Sequence, residues 1–333
     1  MSMPGAAPRL LHVANGTCTT RLIEAAGLPG ATSLWADPLH DGPVPGGLAD
    51  DELLEIRAGH LEGLTPAEVD PANDLRAWRA AIANHAAYDE LVLWFEHDLF
   101  DQLNLIQLLP WIRERLPAEK TVSLVCVGAF PGRPAFKGLG ELAPHDLVPL
   151  FDARTRVSPG QSELASRAWD AFGAPTPNAL NNVRHGGTAA LPFLAPAIAR
   201  FLEEYPWTRD GLSRSERRLL ELARDGPIGL AAAHPRMVGE GDVYHVTDRS
   251  LVDTATALST SSPALLVYSG AEGEGAGPLH GTVALTEVGW AVLSGRADRV
   301  ALCGIDRWLG GVYLHGRTAW RWDDEHRAVA GPK

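Results

Sequence analysis

Leu91–Phe95 is apolar at every position, and Thr121–Val127 (TVSLVCV) is nearly so. A strand of that kind offers no face to water, so other elements must cover both of its sides. No other feature limits the possible folds as much. Around these runs, strand-like and helix-like segments alternate. Leu10–Ala14 is a short apolar run ending at Asn15-Gly16, followed by a helical stretch over 19–26. Ser33–Ala36 reads as a second strand, closed by a Pro- and Gly-rich loop over 37–47. Helical spacing follows over 50–60, over 72–87 (Leu75, Trp78, Ile82) and through Leu103, Ile106, Leu109 and Ile112. Leu147–Phe151 reads as a fifth strand. Strands alternating with helices imply right-handed crossovers and a parallel sheet. Residues 8–155 are therefore expected to form a Rossmann-like α/β domain.

The remainder divides in two. Residues 156–205 read as a helical connecting region broken near Pro175, Pro177 and Pro192. The segment Tyr205–Gly211 is the best boundary, because Ser213-Arg214-Ser215-Glu216 beyond it has capping-box spacing. Thr286 and Gly295 frame a further helix, and short strands fall near 264–268, 312–314 and 319–322. Residues 206–328 thus read as a small α+β, winged-helix-like domain, with Ala271–Gly277 (AEGEGAG) as a flexible loop.

At 333 residues and 45% hydrophobic, the chain can bury real cores without staples. Its charge of −12, with acidic residues in excess in both halves, disfavours nucleic acid as a general partner. Arg214, Arg217 and Arg218 are interrupted by Glu216 and Glu221, which suits a solvated helix face better than a phosphate track. Cys18, Cys126 and Cys303 form neither a disulfide framework nor a zinc motif, which points to a reducing cytoplasm. No apolar run approaches the ~18 residues of a spanning helix, so no membrane is expected. A homo-oligomer is left open.

In an open parallel sheet, ligands bind beyond the carboxyl ends of the strands. The loops expected there carry most of the chain's candidate chemistry. Asn15, Gly16, Thr17 and Thr19 open a helix, where backbone N–H groups favour an anion; they equally suit an ordinary capped helix start. Asp37, His40 and Asp41 can ligate a divalent metal or form an acid–base pair, or simply satisfy a rigid turn. Glu96, His97, Asp98, Asp101 and Gln102 follow a buried strand directly, a costly place for charges without partners, a metal or a cleft. A helix N-cap explains Asp98 and Asp101 but not Glu96 and His97. His97 is the best single acid–base candidate; Asp37, His40 and Asp98 are the metal candidates. Trp308, Trp320 and Trp322 beside Arg307, Arg321 and Asp323 suit either base stacking or a small hairpin core.

The segments His12–Thr17, Trp35–Pro43 and Trp94–Asn104 resemble the bacterial "domain of unknown function 1835" family. The region from Gly211-Leu212-Ser213 through Asp306–Gly311 to Trp320–Asp323 looks like the uncharacterised companion domain that follows it in many members. The likeness covers most of the chain and implies no particular chemistry. The expectation is a cytosolic hydrolase or group transferase acting on a phosphorylated or nucleotide-like small molecule, with a divalent metal as its candidate cofactor. The alternative is a ligand-sensing regulator whose C-terminal domain binds DNA or a protein partner.

Overall fold

The computed structural model describes residues 8–134, 136–238, 243–244, 246–270 and 279–332. Its first part runs β1 (Leu10–Ala14), α1 (Thr17–Ala25), β2 (Ala31–Leu34), β3 (Gly42–Pro43), α2 (Asp50–Glu62), α3 (Pro71–Ala83), β4 (Glu90–Glu96), α4 (Leu99–Arg115), β5 (Thr121–Val127), α5 (Leu147–Asp152) and β6 (Thr155–Arg156). One five-stranded sheet has the order β2-β1-β4-β5-β6. Its first four strands are parallel and β6 is antiparallel. β4 behaves as its sequence demands. Leu91, Leu93 and Phe95 point into the main core, while Val92 and Trp94 point into a second core with Ile23 and Leu147. All five side chains are fully buried. His12 is also buried on β1, accepting from Trp94 Nε1 at 3.0 Å and holding Pro29 O at 3.1 Å through its other nitrogen.

Three expectations change. Leu147–Phe151 is not a strand but most of helix α5, and the edge strand is β6. A five-residue apolar run has no periodicity to separate the two, and Pro149 costs nothing in a helix's first turn. β2 lies two residues earlier than Ser33–Ala36. The 37–47 loop contains a strand, β3. The expected Ala271–Gly277 loop lies outside the described residues.

Next come α6 (Pro159–Phe172), α7 (Asn178–His185) and α8 (Leu194–Leu202). α6 and α8 pack on α4, which is buried nearly all round from Leu99 to Ile112. The remainder comprises α9 (Arg214–Leu222), β7 (Ile228–Gly229), α10 (Leu230–Ala233), α11 (Asp248–Thr260), β8 (Leu266–Ser269), β9 (Thr282–Leu285), α12 (Glu287–Leu293), α13 (Arg299–Cys303), β10 (Ile305–Gly310), β11 (Val312–Gly316), β12 (Arg321–Asp323) and β13 (Ala328–Ala330). Ser213 and Glu216 form the expected capping box on α9, and Thr286 caps α12. A small sheet has the order β7-β9-β8. No described helix is long and apolar enough to cross a membrane.

The two parts of the chain interlock. β3 pairs in parallel with β10, Gly42 opposite Leu309, inside the sheet β11-β10-β3. Val44 N donates to Gly310 O at 2.9 Å, and Gly46 N donates to Gly173 O at 2.8 Å. Gly311 packs so tightly on the Gly173 carbonyl that any Cβ would collide. Arg57 fixes the loop leading into β3. Its guanidinium is buried on α2, donating to both Asp37 oxygens (2.7–3.1 Å), to Asp41 O at 2.7 Å and to Pro38 O at 3.2 Å. Arg57→Met leaves Asp37 buried without its cation and is expected to cost about 3–5 kcal/mol in denaturant unfolding. A loss below 1 kcal/mol would mean that the pair does not organise the loop.

Candidate functional site

The chain leaves β1 for β2 on one side and then crosses to β4 on the other, so the crossovers part company between β1 and β4. Beyond their carboxyl ends, three carboxylates meet. Glu96 is the last residue of β4. Asp98 is the N-cap of α4, its side chain accepting from Asp101 N at 3.0 Å. Asp101, one turn on, accepts from Glu96 N at 2.7 Å. Carboxylate oxygens of all three lie within 4.8 Å of one another, and all three residues are buried.

Asn15, at the end of β1, ties the group together. Its amide nitrogen donates to Asp101 Oδ2 at 2.9 Å and to Glu96 Oε1 at 3.3 Å. The amide is oriented by Thr19, whose hydroxyl donates to Asn15 Oδ1 at 3.0 Å. Leu139 N also donates to Glu96 Oε1, at 2.7 Å, and Gly138 lies against Glu96 Oε2 so closely that a Cβ would collide. Gln102 Nε2 holds Glu96 O at 2.7 Å. These partners are neutral, so they do not cancel the charge. Burial, reinforced by the Asp98 charge, pushes Glu96 up to about 7. Burial and the charges of Asp98 and Glu96 raise Asp101 well above the usual carboxylate range. Such a group holds shared protons or a cation at neutral pH.

Gly16 caps α1 through an extended backbone without a side-chain hydrogen bond, and Thr17 is exposed on the first turn. The amides of that turn are one residue from Asn15, so an anion there would be a neighbour of the carboxylates.

His97, the residue after Glu96, has its ring 6.1 Å from that of Phe193 and 6.5 Å from that of Phe136. The other expected residues lie apart. Asp37 is spent on Arg57. His40 and Asp41 face a different space, a cavity between the first part of the chain and α11. His40 lies between Phe100 and Tyr244, where burial lowers its imidazole to about 4 and keeps it neutral. Burial opposes the ionised form of Asp41, but His60 at 3.4 Å and the Arg307 charge outweigh it and hold the carboxyl below its usual range. The strand-end loops therefore form two groups on either side of the α4 N-terminus, not one. Burial pushes the Cys126 thiol up to about 12.

Sequence reasoning missed Arg57, the Gly138–Leu139 cradle and the place of Arg307 beside Asp41. A signal existed for Arg57: it shares a helix face with Leu53, Leu54, Ala58 and Leu61, where a cation needs a buried partner. No protein-family model matches the chain, and neither does any curated protein.

The raised Glu96 value has a definite sign. Its neutral form is favoured by the fold, so its contribution is full below about 4.5 and is lost as pH climbs through about 7. His40 acts in the opposite sense, contributing above 6.5 and losing that contribution as pH falls through about 4. Comparison with Glu96→Gln isolates the first effect. Between pH 5 and 8 in EDTA, wild type should lose on the order of 3 kcal/mol more unfolding free energy than the variant. Parallel pH profiles would show that Glu96 ionises freely.

Proposed function

We propose that this chain is an enzyme, a hydrolase or group transferase, acting on a phosphorylated or nucleotide-like small molecule at the strand-end edge of a Rossmann-like unit, with a divalent cation. One observation carries this reading: Asn15 joins the first turn of α1 to the buried group Glu96, Asp98 and Asp101 at the crossover divide. A phosphate on the α1 amides would be repelled by three neighbouring carboxylates unless a cation stood between them. The donor set fits a hard cation, being all oxygen. When bound, the cation would neutralise phosphate charge and polarise a water or leaving oxygen. The chain's own residues have separate tasks. Asn15 and Leu139 N orient Glu96, Gly138 gives it room, and the α1 amides take an anionic oxygen. His97, the residue after Glu96, is the acid–base candidate. A cytoplasmic setting and the resemblance to the "domain of unknown function 1835" family belong to this proposal.

A second reading has an observation of its own. Helices α9, α10 and α11 with the sheet β7-β9-β8 have the order of a winged helix, which would make the C-terminal part a DNA or protein reader. Two facts favour a lid instead. Helix α11 lines the cavity facing the first part of the chain and carries Asp248 and Asp253. The arginines of α9 are occupied, Arg217 with Asp210, Arg214 with Glu203, and Arg218 with Arg236 O. A regulator of this kind would bind duplex DNA with a steep loss of affinity in salt.

The test is thermal denaturation with Mg2+ or Mn2+, alone and with nucleotides or sugar phosphates. A cation at a hundredfold excess over its Kd should stabilise wild type by about 2.7 kcal/mol, and Asp101→Asn should abolish that gain. No cation response in wild type, or an equal one in the variant, sinks the proposal. His97→Ala is expected to keep the melting temperature while losing turnover on whichever phosphorylated substrate is found. An unchanged rate would remove His97 from the chemistry.

A further inference from the structure

The cavity on the other side of the α4 N-terminus has a volume of about 530 Å³. That is within the range of small-molecule pockets, and boundaries between structural units are where such pockets concentrate. Leu99, Phe100, Phe201, Met237 and Val246 give it apolar walls, and Thr254 on α11 faces them. An occupant must therefore have an apolar body.

The charged groups around the cavity show what else it must carry. Four of the carboxylates have partners of their own. Glu204 is held by Arg200 at 2.7 Å and Ser215 at 2.6 Å, and Glu216 pairs with Arg299 at 3.2 Å. Asp253 pairs with Arg249 at 2.8 Å, and Asp306 accepts from Tyr313 at 2.8 Å. Arg307 is different. Its guanidinium makes no hydrogen bond to any described residue, and its nearest paired carboxylate oxygen, on Glu204, is 3.9 Å away. His40 also lines the cavity, with a buried Nδ1 that has no partner among the described residues. A planar cation with five donors and an imidazole with one unused nitrogen thus line the same cavity.

We infer that this cavity binds a small organic molecule bearing a single carboxylate on an apolar body, with Arg307 holding the carboxylate. A guanidinium matches a carboxylate through two parallel hydrogen bonds. One negative charge fits and two do not, because the carboxylates of Asp41 and Glu204 already stand near the same cation. The site is independent of the carboxylate group at β1 and β4, and its occupant needs no metal.

The test is calorimetric titration of the full chain in EDTA with benzoate, phenylacetate and octanoate, each beside its amide, and with phenyl phosphate. At least one carboxylate should bind saturably, with its amide at least about tenfold weaker. Arg307→Ala should weaken that carboxylate by about tenfold or more, Arg307→Lys by less, and Thr254→Phe should block it by filling the cavity. Equal binding of acid and amide, tighter binding of phenyl phosphate, or no binding by any carboxylate at millimolar concentration overturns the inference. Should Arg307→Ala fail to fold, wild-type affinity in Thr254→Phe overturns it as well. Because EDTA is present throughout, a missing metal response fails only the proposed enzyme, and missing carboxylate binding fails only this site.

Discussion

The short parallel pairing of β3 with β10 is the contact on which the rest of the arrangement depends. Two residues from the first part of the chain become the edge of a hairpin sheet formed by the last part. A two-residue strand such as β3 could not be stable alone. The pairing is held from both sides. Arg57 fixes the incoming loop, and close glycine contacts at Gly46, Gly173 and Gly311 bring a third segment, the end of α6, against it. Asp41, which leads into β3, and Arg307, on β10, line one cavity because the two strands pair. The hydrophobic core follows the same logic, running without a break from Leu11 to Trp322.

The N-terminal turn of α4 acts as a partition. Asp98 and Asp101 turn toward Glu96, while Leu99 and Phe100 line the cavity. Successive residues of a helix point in different directions, so one turn can serve two environments. Its backbone is committed as well, since Leu99 N donates to Val243 O at 2.7 Å, a carbonyl from the C-terminal part.

What the sequence made legible follows from how local each cause is. β1 and β5 were readable to the residue, and β4 to within one, because burial on both faces leaves a continuous apolar run. Caps at Ser213 and Thr286 were readable because a cap needs only its own next three residues. Leu147–Phe151 was not, since five apolar residues fit a strand or a helix equally. Among the candidate residues, Asn15, Thr19, Glu96, Asp98 and Asp101 come together because β1 and β4 are adjacent in the sheet, which the alternation of elements implies. Asp37, His40 and Asp41 go elsewhere because their partners are Arg57, on a separate helix, and Arg307, far along the chain. Nothing in the loop's own residues encodes either partner.

The β3–β10 pairing also places a demand on biosynthesis. Gly42 leaves the ribosome roughly 270 residues ahead of Leu309, and at roughly 5–20 residues per second the two are separated by about 10 to 50 s. From the emergence of Arg156 onward, roughly 150 residues before Leu309, the sheet has all its strands while residues 42–46 have no strand to join. Their unpaired amides and carbonyls are open to any passing edge. A nascent chain of this protein therefore passes through a long stage with its main sheet complete and its seam undone, until β10 is made and closes it.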